Sequence, residues 1–146
     1  MSGVNEKTAQ GWARLVETAE QQGALYQAMR EATQKALEAA GENDTDRLEE
    51  ALDHREELMQ RVQALQDEER QLRPKVAGVP PLKLATRLGT AKDYQLDQLQ
   101  KVIDLNTKLE QELSYLKQRL AHNLEQITKL KQTAQGYRPK NLSLEG

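Results

Sequence analysis

Histidines, carboxylates and lysines are the side chains here that could do chemistry, and their spacing argues against it. A carboxylate-bridged metal pair inside a helical bundle needs repeated Glu-x-x-His elements. The residue three before His54 is Ala51, and three before His122 it is Arg119. No His-Glu-x-x-His, phosphate-cradling glycine loop or Gly-x-Ser-x-Gly is present. Cysteine is absent, which removes disulfides and thiolate nucleophiles. The 23 acidic and 21 basic residues leave a net charge of −2. Acidic clusters such as Glu49, Glu50, Asp53, Glu56 and Glu57 fall at helical spacing and read as a solvated face. Lys129, Lys131, Arg138 and Lys140 make the C-terminal end basic, but no aromatic stacking platform accompanies them. They complement a helix dipole without any ligand. The chain is expected to be no enzyme, to carry no cofactor or metal, and to bind no nucleic acid.

What remains is a helix-forming sequence. Glu, Gln, Lys, Leu and Ala dominate, aromatics are 3% and Phe is absent. Such a composition predicts an all-α fold with thin apolar stripes. The expected architecture is an elongated antiparallel three-helix, coiled-coil-like bundle forming one domain over residues 1–146. Helix 1 is expected at about 5–40, with Trp12, Leu15, Ala19, Tyr26 and Met29 on one face and Leu25, Ala32, Ala36 and Leu37 widening it. Gly11 and Gly23 weaken it by about 1 kcal/mol each relative to Ala. Gly41 suits the residue after its end, and Asp44 or Thr45 suits the next cap. Helix 2 is expected at about 45–72 on a stripe of Leu48, Leu52, Met59, Val62, Leu65 and Leu72, interrupted by Arg55 and Glu69. Ala51 and Leu58 sit at its edges.

Residues 73–92 contain Pro74, Gly78, Pro80 and Pro81 and are expected to be a linker. A short helix starting at Pro81 and ending at Gly89 fits within it. The linker packs across the bundle end or serves as a flap. No apolar run is long enough for a bilayer, and the first residues carry no targeting signal. The expected compartment is the cytoplasm, without membrane insertion.

Helix 3, at about 93–135, carries the clearest pattern. With Leu99 at a, the a and d sites are Leu99, Val102, Asn106, Leu109, Leu113, Leu116, Leu120, Asn123, Ile127, Leu130, Ala134 and Tyr137. This seam predicts coiled-coil packing, and the helix would run about 65 Å. Beside it lie Leu96, Ile103 and Leu124 at e and Leu105 at g. Those four widen the stripe: it either packs against both helix 1 and helix 2 or stays partly uncovered, and then the four are the candidates for binding another protein's amphipathic helix. Asn106 and Asn123 are suited to fixing register, between identical chains if the protein is a homodimeric coiled-coil module. Residues 136–146, with Gly136 and Pro139, are expected to be a flexible tail.

The order of these segments resembles the FlgN-type flagellar export chaperones, and more loosely the FliT type. The resemblance covers about Leu15 to Lys140. It rests on Leu25-Tyr-Gln-Ala-Met29, the Gly41-to-Asp46 turn and the Leu48-to-Met59 run. It continues through the Pro/Gly linker, Ile103-Asp-Leu-Asn106 and the Tyr137-Arg-Pro-Lys140 ending. The resemblance implies an ATP-independent cytoplasmic chaperone for flagellar type III export. FlgN-type members hold the C-terminal segments of hook-associated (hook–filament junction) proteins, prevent premature assembly and deliver them to the export gate. FliT-type members do so for the filament cap protein. The resemblance also gives Tyr137 the role of an export-gate contact.

Overall fold

The computed structural model describes residues 2–145, and the side chains of residues 7–134. It contains three α-helices, α1 (Ser2–Gly41), α2 (Thr45–Leu72) and α3 (Leu82–Glu145), with a 3-10 turn at Arg73–Lys75. No strand occurs among the described residues. The all-α class expected from composition is what forms. The chain divides into a unit ending at Leu109 and a second beginning at Glu110.

In the first unit α1 and α2 are joined by a three-residue link. The Asn43 N–H donates to Ala40 O and the Asp44 N–H to Ala39 O, which closes the free carbonyls at the end of α1. The left-handed residue of this turn is Asn43, at φ 56°, rather than Gly41, which remains helical. Asn tolerates that region because its short polar side chain can bond locally. Asp44 caps α2 by accepting from the Arg47 N–H at 3.1 Å.

So short a link makes the two helices antiparallel neighbours. Their core is Leu25, Tyr26, Met29 and Ala32 of α1 against Leu58 and Val62 of α2, with Val102 of α3 completing it. On α2 the buried residues are Leu48, Ala51, Leu58 and Val62. Ala51 and Leu58 are therefore central rather than marginal, and Met59 lies on the rim.

The expected linker over 73–92 is shorter. α3 starts at Leu82, with the Ala85 N–H donating to Pro81 O, and it passes through Gly89 without interruption. One glycine costs about 1 kcal/mol, too little to stop a helix whose neighbours pack. Leu88 and Ala91 on either side of it are half-buried and buried. The remaining connector is anchored: a Cβ on Gly11 would lie 2.5 Å from Val76 Cγ1. α3 also continues past Gly136 and Pro139, where a tail was expected.

Within the first unit α3 runs parallel to α1 and antiparallel to α2. Arg87 pairs with Glu20, Gln95 Nε2 donates to Ala19 O at 2.7 Å and the Tyr94 hydroxyl donates to Gln27. On the other side Lys92 pairs with Glu69 of α2 at 2.8 Å. Gly23 permits the approach of α1 to α3, because a Cβ there would lie 2.8 Å from Tyr94 Cδ1.

Candidate functional site

A helix lying against two partners must bury three positions per heptad, not two. This happens on α3. The d residues Gln95, Val102 and Leu109 are buried at the centre. The g residues Ala91 and Gln98 are buried and Leu105 is half-buried, on the α1 side. The a residues Lys92, Leu99 and Asn106 are half-buried, with Lys92 bonded to α2. The buried stripe is centred on d, so the g edge belongs to the bundle and the e edge does not.

That geometry separates the four sequence-derived binding residues. Leu96, Ile103 and Leu124 are 67%, 51% and 64% exposed, although large and apolar. Leu96 and Ile103 are one heptad apart on the same edge of the first unit. Leu105 stands about 200° around the helix from Ile103 and faces α1. There it lines a groove of about 560 Å³ with Arg30, Gln34, Glu38, Lys101 and Asp104. Leu105 is therefore half-buried on the α1 side of α3 and not on the exposed edge that carries Leu96 and Ile103. Leu124 belongs to the second unit. The Tyr137 side chain lies outside those described.

Sequence reasoning missed another set. The a and d residues beyond Leu116 were expected to hold the protein's own bundle, yet Leu120, Ile127 and Leu130 are 52%, 48% and 68% exposed. Helix length was the available signal. α2 has 28 residues and α3 has 64, so α2 cannot cover the full seam.

At the connector, Glu69 was expected only to interrupt the α2 stripe. It is 13% exposed and lies 3.1 Å from Arg73 and 2.8 Å from Lys92. Burial opposes its charge, but the hydrogen bonds from Lys92 and Arg73 outweigh burial and bring its pKa below the usual carboxylate value. This cluster, with Trp12, Leu15, Val76 and Leu88, lines a cavity of about 380 Å³. A carboxylate paired with both cations ties α2 to the connector and to α3.

His54 and His122 lie exposed on different helices. Among the described residues, no group of three or more His, Asp or Glu is placed to hold a metal ion. No helix among them is long and apolar enough to cross a membrane. What the described surface of α3 offers in each unit is exposed apolar side chains at helical spacing, a form suited to another amphipathic helix. No family model, no curated protein and no solved structure matches this chain.

Proposed function

We propose that the protein is a cytoplasmic chaperone of flagellar type III export. In this reading it holds the C-terminal amphipathic segment of a hook-associated protein until delivery to the export gate. The observation that carries the reading is the exposed apolar e edge of α3 in the first unit, at Leu96 and Ile103. The FlgN-type order of segments supplies the client.

The physics of the task suits that edge. An export substrate travels unfolded, and its apolar helical face would self-associate if left bare. Covering that face against Leu96 and Ile103 requires no chemistry and no nucleotide. Fully burying one such side chain is worth about 1.5–3 kcal/mol. Two of them, offset by the ordering of the client, give binding that can be reversed at the gate. Tyr137 is the proposed gate contact.

Co-purification of the full chain with the C-terminal segment of a hook-associated protein tests the client. The segment is expected to be retained, and a filament cap segment is expected to be retained less. Retention of the cap segment alone would move the protein to the FliT type. Retention of neither would refute the export reading.

A further inference from the structure

The exposed seam in the second unit is a different surface from the e edge of the first. From Leu113 to Ala134 it spans three heptads with only Asn123 polar at a or d. We infer that residues 110–134 pair with the same residues of a second copy of this chain, as a parallel two-stranded coiled coil.

Three observations select this occupant and this direction. First, the exposed part of the seam begins beyond the chain's own core, with Leu113 and Leu116 half-buried between the two. Leu109 is 1% exposed and Leu120 is 52% exposed. Second, Asn123 discriminates between directions. In a parallel pair like positions meet, so Asn123 faces its own copy and amide donor matches amide acceptor. In an antiparallel pair a d residue faces an a residue. Every a residue within 110–134 is Leu113, Leu120, Ile127 or Ala134, which would leave the amide without a partner. The antiparallel register that joins Asn123 to Asn106 requires Leu120 to face Leu109, already buried in its own bundle. Third, the flanking charges agree. In a parallel pair g faces the e position five residues on in the other chain, so Glu112 meets Lys117 twice by symmetry. Arg119 then lays its aliphatic stem over Leu124. Ile127 at a followed by Leu130 at d also favours two strands.

Pairing over 110–134 leaves Leu96 and Ile103 outside the seam. The dimer does not depend on the chaperone reading, and each can fail alone.

The test is sedimentation equilibrium of the full chain, joined to cysteine cross-linking, which the cysteine-free sequence permits. The expected result is twice the chain mass at micromolar concentration. Ile127→Cys should form a homodisulfide under mild oxidation, with Leu130→Cys as the second variant if helix content falls. Glu112→Lys should weaken association by roughly two- to tenfold, and adding Lys117→Glu should restore it. A single-chain mass at all concentrations would overturn the inference. So would a mixed disulfide between Leu113→Cys and Leu130→Cys chains, which reports the antiparallel arrangement. A single chain that binds a client helix through Leu120 and Ile127 would overturn it too.

Discussion

The residues that matter most to the bundle are those where two helices come closer than a side chain normally permits. Gly23 shows this. Its missing Cβ leaves room for the Tyr94 ring, and Tyr94 reaches across to Gln27. Gly23→Leu should destabilise the fold by about 1–3 kcal/mol through overpacking, despite a better helix propensity. Adding Tyr94→Ala should recover part of that loss, which a double-mutant cycle in urea measures. From the sequence Gly23 reads as a weak point in a helix. Its packing role depends on a residue 71 positions later and is not legible from local propensity. Glu69 gives the second prediction at this scale. Its pKa is lowered in the folded state, so on acidification the unfolded chain takes up that proton first. The stability it supplies is full at neutral pH and is lost as pH falls through the carboxylate range. Glu69→Gln should flatten that limb of a denaturation-against-pH profile.

For the helices, the heptad of α3 is plain in the sequence, but which part of it is buried is not. The a and d seam was expected to hold the bundle, with both of its flanks either packed on the other helices or open to a client. Packing against both α1 and α2 buries d with g on one side and a on the other, which moves Leu105 inward and leaves Leu96 and Ile103 outside. The same shift brings Ala51 and Leu58 to the centre of α2. Periodicity fixes the axis of a stripe only to within about one position, because a helical step is 100°. Substitutions can measure the difference. Leu109→Ala removes a side chain that is 1% exposed and should cost about 2–5 kcal/mol. Leu96→Ala, on the uncovered edge, should change stability by less than about 0.5 kcal/mol. Chemical denaturation of the two variants beside the parent chain makes the comparison. The boundaries were legible where capping chemistry marks them, as at Asp44. They were not legible where a glycine or proline was read as a stop, because α3 passes through Gly89, Gly136 and Pro139.

Considered whole, the molecule carries more apolar helix than its described contacts cover. α1 and α2 build a bundle with the first part of α3, while a run of large apolar side chains on α3 remains at the surface. Composition alone pointed to helices meeting along narrow stripes. It could not show which stripe is left uncovered, since that depends on where α2 ends relative to α3. The e edge at Leu96 and Ile103 is assigned to a client helix and the seam past Leu116 to a second copy. The most direct test of the client assignment is the affinity of the full chain for the C-terminal segment of a hook-associated protein, measured by titration calorimetry. Saturable binding is expected, weakened at least tenfold by Leu96→Asp with Ile103→Asp, while circular dichroism and the unfolding midpoint stay at parent values. Unchanged affinity in that double variant, or no binding by the parent chain, would contradict it.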